Sequence, residues 1–240
     1  MTIIPVEGLP ELAVGDDLGA LVAGAAALED RDVLVIAQKA VSKAEGRVVR
    51  LADVVPSERA HELAAGGDPR QTEVVLRETA RIVRTRPPLI IAETRHGFVC
   101  AAAGVDASNA PEPATVVLLP VDPDASAQRV RERILELTGR DVGVVVSDTF
   151  GRPFRFGIAG VAIGVAGIRP LLDLRGARDR AGYLLRVTVI AVADEIASAA
   201  ELALGKVGRR PVAIVRGAAP SRAEATIAQT LIPAESDLFR

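Results

Sequence analysis

Residues 142–157 read Val-Gly-Val-Val-Val-Ser-Asp-Thr-Phe-Gly-Arg-Pro-Phe-Arg-Phe-Gly and carry the clearest structural signal in the chain. A run of valines bounded by glycine predicts a buried strand. The strand is predicted to end on residues 147–149, Ser-Asp-Thr, with a loop carrying Arg152 and Arg155 directly after it. A carboxylate at the carboxyl end of a strand can hold a divalent ion, and nearby arginines can hold phosphate oxygens. The stretch therefore predicts part of a metal–phosphate site.

The composition limits the kind of protein this can be. The chain has 240 residues, of which 49% are apolar, enough for one large domain or two small ones with a sizeable core. Its net charge of -2 argues against nucleic acid as the partner, because neutralising phosphates needs a basic surface. Cys100 is the single cysteine, which excludes an intrachain disulfide, and we expect it to be a small buried hydrophobe.

The start of the chain carries no targeting signal that we can recognise. Pro5, Glu7 and Pro10 interrupt any apolar run there. Residues 18–28 form the longest early uncharged apolar stretch, which is shorter than the roughly 20 residues that a membrane-spanning helix needs. The sequence therefore predicts a cytoplasmic protein with no membrane partner.

Short apolar runs alternate with segments of helical spacing. Strands are predicted at residues 3–6, 32–38, 89–93, 97–103, 115–119, 184–192 and 211–215. Helices are predicted at residues 17–27, 57–83, 124–137, 194–204 and around 222–231. The expected N-caps are Asp16 or Asp17, Asp124 and Asp194, and Gly139 is expected to end the third helix.

This alternation predicts an α/β or mixed α+β fold, with a largely buried mixed sheet and flanking helices. We expect one catalytic domain over residues 1–240. Residues 57–83 form a solvated helical excursion, and they and residues 157–192 are candidate smaller subdomains.

Two aspartates follow predicted strands and are candidate metal ligands. Asp106 and Asp148 are each followed by small polar residues, including Ser108, Asn109 and Thr149. If both meet at one sheet edge they can hold Mg²⁺ or Mn²⁺, with substrate phosphates completing the coordination. The alternative is that both are turn residues whose side chains cap the next loop.

Basic residues near other strand ends are candidate phosphate contacts. Lys39 and Lys43 flank Ser42 after the strand at residues 32–38. They suit phosphate as point charges, although an exposed loop of solvated lysines is the alternative. Arg152 and Arg155 surround a proline, which stiffens the loop and favours bidentate binding of a phosphate or carboxylate.

Several common catalytic motifs are missing. The sequence has no Gly-x-x-x-x-Gly-Lys-Ser/Thr loop, and the glycines between residues 157 and 167 do not match Gly-x-Gly-x-x-Gly. With His61 and His96 as the only histidines, a Ser-His-Asp triad and a zinc site are poorly supported. In the alanine-rich helix, Glu201 could face a cation, whereas Asp194 and Glu195 more simply suit the helix dipole.

Four motifs together resemble a known family, the coenzyme F420-0:L-glutamate ligases. They are residues 38–47 (Gln-Lys-Ala-Val-Ser-Lys-Ala-Glu-Gly-Arg), 103–109 (Ala-Gly-Val-Asp-Ala-Ser-Asn), 147–155 (Ser-Asp-Thr-Phe-Gly-Arg-Pro-Phe-Arg) and 193–202 (Ala-Asp-Glu-Ile-Ala-Ser-Ala-Ala-Glu-Leu). Each motif is modest alone, but the four occur in the family's order. The resemblance covers nearly the whole chain, from about Gly8 to Gly217.

The resemblance implies a GTP-dependent ligase. Such an enzyme joins L-glutamate to the phospholactyl carboxylate of F420-0 and then extends the tail through γ-glutamyl links, releasing GDP and phosphate. It implies Mg²⁺ or Mn²⁺, help from a monovalent cation such as K⁺, and a homodimer whose grooves involve both chains. A related form carries a C-terminal reductase-like domain, which we do not expect here.

The resemblance also assigns roles to residues of this chain. Metal ligands would be Asp106, Asp148 and Thr149. The residues expected at the nucleotide are Leu9, Pro10, Glu11, Leu12, Gln38, Lys39, Lys43, Asn109, Leu204, Gly205 and Lys206.

The charges of the chain suggest how the reacting anions are neutralised. A metal at Asp106 and Asp148, together with Lys43, Arg152 and Arg155, could supply that neutralisation. We hypothesise that Arg152 or Arg155 binds the phospholactyl or glutamate anion.

Two positions depart from the family pattern. Many members carry a metal-binding glutamine where Lys206 stands, and an acid where Gly160 stands. A protonated lysine does not ligate a cation, so Lys206 is a candidate phosphate contact. Two other functions remain open: another nucleotide-dependent carboxylate–amine ligase, and a non-catalytic protein that binds a phosphorylated ligand.

Overall fold

The computed structural model describes residues 1–152, 154–206, 208 and 210–238, and it does not describe the side chain of Arg152. The predicted anion contact at Arg152 therefore lies outside the described part. The strands are β1 (Thr2–Pro5), β2 (Val33–Ala37), β3 (Val48–Arg50), β4 (Thr79–Arg86), β5 (Leu89–Thr94), β6 (Val99–Ala101), β7 (Thr115–Val117), β8 (Gly143–Arg152), β9 (Arg155–Ala166), β10 (Leu172–Asp173), β11 (Val189–Ile190) and β12 (Val212–Arg216). The α-helices are α1 (Leu18–Ala25), α2 (Gln38–Ala44), α3 (Glu58–Ala64), α4 (Pro69–Glu78), α5 (Pro123–Thr138) and α6 (Val192–Leu204).

The valine run forms the interior of a five-stranded sheet in the order β1-β12-β2-β8-β9. Strands β2 and β8 are parallel, whereas the other neighbouring pairs are antiparallel. Val144, Val145 and Val146 are fully buried, as expected for a strand covered on both faces. Helices α5 and α6 pack against this sheet, and α1 packs against α5. The mixed α/β class and its buried mixed sheet are confirmed.

The valine strand is longer than its sequence suggests. We predicted that it ends at residues 147–149 and that a loop follows, which is wrong: β8 runs to Arg152 and forms a hairpin with β9. The glycine-rich stretch supplies the partner strand, so residues after Ser147 keep their ladder bonds. The register shifts between Val146 and Ser147, and this bulge redirects the side chains next to Asp148.

Three helix starts were predicted, and one is confirmed. The carboxylate of Asp17 accepts a hydrogen bond from Ala20 N (2.9 Å) and caps α1. Helix α5 is capped by Asp122 rather than Asp124, since Pro123 suits the first helical position. Asp124 instead accepts hydrogen bonds from Val165 N and Ile227 N, and so ties α5 to β9.

Helix α6 likewise starts before its predicted cap. It begins at Val192, and the carboxylate of Asp194 accepts a hydrogen bond from Ala162 N (2.9 Å) on β9. Gly139 ends α5 in the left-handed conformation, as predicted. Residues 38–44 form helix α2 directly after β2, so the exposed-loop alternative for the two lysines is wrong.

Residues 57–83 are not one helical excursion. They contain α3, α4 and the start of β4, because the β-branched stretch from Thr79 onward pairs with β5 instead of continuing the helix. The hairpin predicted at residues 89–103 is confirmed as β5 and β6. The predicted strand at 184–192 shortens to β11, and residues around 222–231 contain only a 3₁₀ turn, Ile227–Thr230.

The buried side chains form two clusters. The larger surrounds the five-stranded sheet, and the smaller lies among α3, α4 and the strands β3 to β7. The smaller cluster contains Val74, Ile90 and Val116. The second candidate subdomain begins inside the main sheet with β9 and continues into the exposed two-stranded arm of β10 and β11.

Two glycines of β9 allow the helices to approach the sheet. A Cβ at Gly160 would lie 2.7 Å from Ala197 O on α6, and the Ser198 hydroxyl donates to Gly160 O (2.6 Å). A Cβ at Gly164 would lie 2.4 Å from Pro123 O at the start of α5. An acidic side chain at position 160 is thus incompatible with this packing of α6.

Replacing Gly164 by alanine should destabilise the protein by about 1–3 kcal/mol, because the new methyl group meets rigid backbone rather than a movable side chain. Gly24→Ala is the matched control, since a Cβ there meets nothing within 4 Å and alanine favours helix by roughly 0.5–1 kcal/mol. Urea unfolding of both variants measures the difference. Equal stability of the two variants would contradict this account.

Candidate active site at the ends of two parallel strands

The candidate site lies beyond the carboxyl ends of the parallel strands β2 and β8. Ala37, the last residue of β2, pairs with Ser147 of β8, so the start of α2 faces the segment that carries Asp148. The carboxyl ends of parallel strands are the usual ligand position in such sheets. A pocket of about 80 Å³ opens here. Its lining consists of Ala37, Gln38, Lys39, Asn109, Ser147, Asp148, Thr149, Glu201, Leu204, Gly205, Lys206 and Arg210.

Asp106 is held beside this pocket by a local turn and by a lysine. Its carboxylate accepts hydrogen bonds from Ser108 N (2.7 Å) and the Ser108 hydroxyl (2.9 Å). Lys39 Nζ lies 2.6 Å from Asp106 Oδ2 and 2.6 Å from Ser108 Oγ. Burial raises the pKa of Asp106, but the hydrogen bonds and charge of Lys39 and Ser108 outweigh it and leave the pKa lowered. Asp106 therefore stabilises its own turn and carries a negative charge beside the pocket.

Asp148 lies in a less favourable environment for its charge. Burial raises its pKa to about 6, against the hydrogen bond from Thr149 N (2.7 Å) and the charges of Lys206 and Lys39. The negative charge of Asp106 raises it further, so the two predicted metal ligands interact electrostatically. A carboxylate whose charge is poorly compensated favours the arrival of a cation.

The segment after α6 closes one side of the pocket. Lys206 Nζ donates a hydrogen bond to the hydroxyl of Thr149, and Lys206 O accepts one from Asn109 Nδ2 at 3.5 Å. Gly205, the C-cap of α6, has φ +60° and turns the chain toward β8. Lys206 thus lies next to predicted metal ligands as well as in the predicted nucleotide segment.

Gln38 contributes a buried donor without a protein partner. Its side-chain oxygen accepts a hydrogen bond from the Ser42 hydroxyl (2.9 Å), whereas Nε2 has no partner although the residue is only 1% exposed. Buried donors are nearly always satisfied, so we expect an oxygen of a ligand or of water in the pocket to accept this hydrogen bond.

Some predicted site residues lie away from the pocket lining. Lys43 Nζ contacts Glu11 Oε1 at 2.5 Å, and neither residue belongs to the lining described above. Leu9 and Leu12 of the same early turn pack against the main core, next to Pro10. Arg155 begins β9 and is exposed at the far end of the hairpin. The pocket lining contains eight residues of the predicted set, with Asp106 beside it: Gln38, Lys39, Asn109, Asp148, Thr149, Leu204, Gly205 and Lys206.

The donor set suits a hard divalent cation. Asp106, Asp148 and Thr149 offer carboxylate and hydroxyl oxygens, which Mg²⁺ and Mn²⁺ favour. Across the described residues, no three acidic, histidine or cysteine side chains gather into a cage. Mg²⁺ commonly binds through one or two protein carboxylates and takes its other oxygens from waters and substrate phosphates.

Four residues of the pocket lining were not assigned to the site from the sequence. Ser147 was noted only as part of the strand end and Glu201 only as a residue that could face a cation, whereas Ala37 and Arg210 were overlooked. Arg210 lies shortly after Lys206 and just before β12, so its position next to a predicted phosphate segment was the available signal. Glu201 belongs to the last turn of α6, and its backbone oxygen accepts a hydrogen bond from Gly205 N.

A second cavity of the protein is larger than the candidate site. A cavity of about 310 Å³ lies in the smaller cluster, lined mainly by apolar groups such as Val75, Leu89 and Ile90. Among the described residues, no lysine lines it and Asp68 is its one acidic residue, whereas Lys39, Lys206, Asp148 and Glu201 line the smaller pocket, so chemistry favours the strand-end site. Cys100 is buried as predicted, and burial together with the charge of Asp148 raises the pKa of its thiol to about 12, which makes it unreactive.

Acidic and basic groups gathered beyond parallel strands define an α/β protein with a ligand site for charged groups at that sheet edge. A family model described as F420-0:Gamma-glutamyl ligase matches residues 8–217. The chain therefore belongs to the F420-0:gamma-glutamyl ligase family, and the resemblance of the four motifs is confirmed.

Three relatives illustrate the similarity, and each is named coenzyme F420:L-glutamate ligase. The protein from Methanopyrus kandleri is 51% identical over 223 residues, covering 92% of this chain and 88% of the relative. The one from Methanothermobacter thermautotrophicus is 43% identical over 250 residues, covering 100% and 99%. The one from Archaeoglobus fulgidus is 47% identical over 218 residues, covering 90% and 87%.

None of the helices among the described residues combines the length and the apolar character that crossing a membrane requires.

Asp148→Asn should stabilise the metal-free protein at high pH. Because the folded-state pKa is raised to about 6, the wild type loses stability as pH rises from about 4 through 6. In EDTA we expect the variant to gain about 1–3 kcal/mol at pH 8 and almost nothing at pH 4. Asp53→Asn, in an exposed pair with Arg50, is the control and should change stability by less than about 0.5 kcal/mol at either pH. Urea unfolding gives both values, and a gain independent of pH would contradict the explanation.

Proposed function

We propose that this protein is a GTP-dependent ligase that adds L-glutamate to coenzyme F420-0 and extends the γ-linked glutamate tail, releasing GDP and phosphate. The observation that carries the proposal is the pocket at the ends of β2 and β8, which is lined by Asp148, Lys39 and Lys206 and has Asp106 beside it, paired with Lys39. The relatives named coenzyme F420:L-glutamate ligase support the substrate.

The chemistry requires activation of a carboxylate, which is a poor electrophile. In the proposed reaction a carboxylate oxygen of the phospholactyl group attacks the γ-phosphorus of GTP, and the bond to the bridging oxygen breaks to release GDP. The glutamate amine then attacks the carbonyl carbon of the acyl phosphate and loses a proton. Phosphate leaves with the electron pair of the C–O bond.

The protein must neutralise several anions brought close together. Lys39 lies at the pocket and Lys43 lies one helical turn further along α2, so both can approach the polyphosphate as point charges. Backbone and side chains of Asn109 and the segment from Leu204 to Lys206 would hold the nucleotide. Glu11 pairs with Lys43 in the free protein, so a phosphate would have to replace its carboxylate.

A divalent ion, Mg²⁺ or Mn²⁺, would be held by Asp106, Asp148 and Thr149, and bound there it would offset the polyphosphate charge. A monovalent cation such as K⁺ is part of the same proposal. The unpartnered Nε2 of Gln38 supports an acceptor oxygen in the pocket.

Asp106→Asn should lower glutamate addition by about 100-fold or more, because it removes charge from the cation site and breaks the pair with Lys39. Asp53→Asn, which removes an exposed carboxylate elsewhere, should leave the rate unchanged. The assay combines GTP, F420-0, L-glutamate and Mn²⁺, with mass spectrometry of the tail. Absence of glutamate addition by the wild type under any metal would refute the proposed function. Addition of a different amine would indicate another carboxylate–amine ligase, and nucleotide binding without turnover would indicate a binding protein.

We also propose a homodimer whose grooves involve both chains. The β8–β9 hairpin and the β10–β11 arm expose the apolar side chains of Ile158 (56%), Tyr183 (66%) and Val187 (86%). Exposed apolar surface of this kind is typical of a face that another chain covers. Arg155 lies on this hairpin, where it would bind the phospholactyl or glutamate anion in a groove shared with the partner.

Arg155→Ala should therefore raise the Michaelis constant of one of these two anions. Unchanged Michaelis constants for both anions would remove the role of Arg155.

Sedimentation velocity should show that the wild type is a dimer. The arm variant Val187→Asp should favour the monomer, and Val55→Asp, at an exposed apolar residue in another part of the surface, is its control. A monomeric wild type would remove the dimer.

A further inference from the structure

The ammonium group of Lys206 lies where a cation would bind to β8. Its Nζ donates a hydrogen bond to Thr149 Oγ1, and its charge acts on the neighbouring Asp148. The oxygens of β8 that would bind a divalent ion therefore already face the ammonium group of Lys206.

An ammonium and a divalent ion compete for such a position. The hydroxyl oxygen of Thr149 already accepts the ammonium hydrogen, and a single positive charge a few ångströms from a doubly charged ion repels it even through water. Withdrawal of Lys206 would therefore free Thr149 fully for a metal ion and remove this repulsion.

The two lysines at the pocket differ in their freedom to withdraw. The Lys39 side chain is only 16% exposed and contacts both Asp106 and Ser108. Lys206 is exposed, follows the turn at Gly205, and carries a long flexible stem. Lys206 is the one that can leave its oxygen and reach a phosphate group placed in the same pocket.

We propose that Lys206 is a resident cation that occupies the metal site of the free protein and leaves it for the phosphates when a nucleotide binds. The inference rests on the proposed function, since it takes the metal and the nucleotide from it. Metal and nucleotide then bind with positive coupling. The phosphates receive the ammonium group that the metal displaces, and the metal takes the position that the ammonium group leaves. The coupling is reciprocal.

The test is a titration with Mn²⁺, followed by the electron paramagnetic resonance of the free ion, with and without GDP. Lys206→Met removes the ammonium and adds no ligand oxygen. Without GDP it should bind Mn²⁺ about tenfold more tightly than the wild type. Lys206→Gln removes the same charge and offers an amide oxygen, so it should gain at least as much.

Arg210→Gln is the matched control. It removes one positive charge from the lining of the same pocket, but no contact between Arg210 and Thr149 is present among the described residues. We expect its Mn²⁺ affinity without GDP to stay within about threefold of the wild type. The factor by which GDP tightens Mn²⁺ binding should be smaller in both Lys206 variants than in the wild type and in Arg210→Gln.

The outcomes separate this inference from the proposed function. Suppose that the wild type binds Mn²⁺ in the presence of GDP. If both Lys206 variants bind Mn²⁺ without GDP only as tightly as the wild type does without GDP, the resident-cation role is wrong while the proposed metal site stands. An equal gain in Arg210→Gln would also overturn the role, because general charge would then explain it. If the wild type binds no Mn²⁺ even with GDP, the metal site and this inference fail together. Lys206 is exposed, and far-ultraviolet circular dichroism verifies that the variants fold.

Discussion

The parallel pairing of β2 with β8 is the constraint on which the rest of the site depends. The register runs from Val33 with Gly143 to Ala37 with Ser147, which fixes where each chain leaves the buried ladder. Helix α2 begins at that edge without a spacer, and β8 continues past it into the hairpin with β9. A shift of one residue would turn Asp148 to the opposite face of the sheet and away from Lys39, because successive strand side chains alternate.

The pocket works through unequal compensation of two negative charges. Asp106 is satisfied by Lys39 and a turn, whereas burial leaves Asp148 with a pKa near 6. The difference arises from position: Asp106 follows a strand end and can recruit its own loop, while Asp148 lies inside a ladder whose backbone groups are already paired. A site of this kind attracts cations at one carboxylate and keeps the other as a fixed anchor.

The sequence was sufficient for the fold class, the buried valine strand, the family and most of the pocket lining, because these rest on local patterns and on four ordered motifs. It failed where a partner strand decides the outcome. Residues after Thr149 and after Glu78 join ladders through β9 and β5, which single-strand periodicity does not reveal. It also misplaced two helix caps, since Asp124 and Asp194 bond to β9 rather than to their own helices. Arg155 and Lys43 lie outside the lining because their distance from Asp148 is set by hairpin length and by the ion pair with Glu11.

The buried amide nitrogen of Gln38 has no hydrogen-bond partner within the described protein, so its partner is an oxygen of solvent or of a ligand. Left without any partner, a buried donor costs on the order of 1–3 kcal/mol, so a ligand oxygen that reaches Gln38 stabilises the folded protein by up to that amount. For a chain of this length each kcal/mol corresponds to roughly 2–4 °C of melting temperature. Binding and thermal stability are therefore coupled through one hydrogen bond. A ligand that places an oxygen at Gln38 raises the melting temperature further than one of equal size that does not.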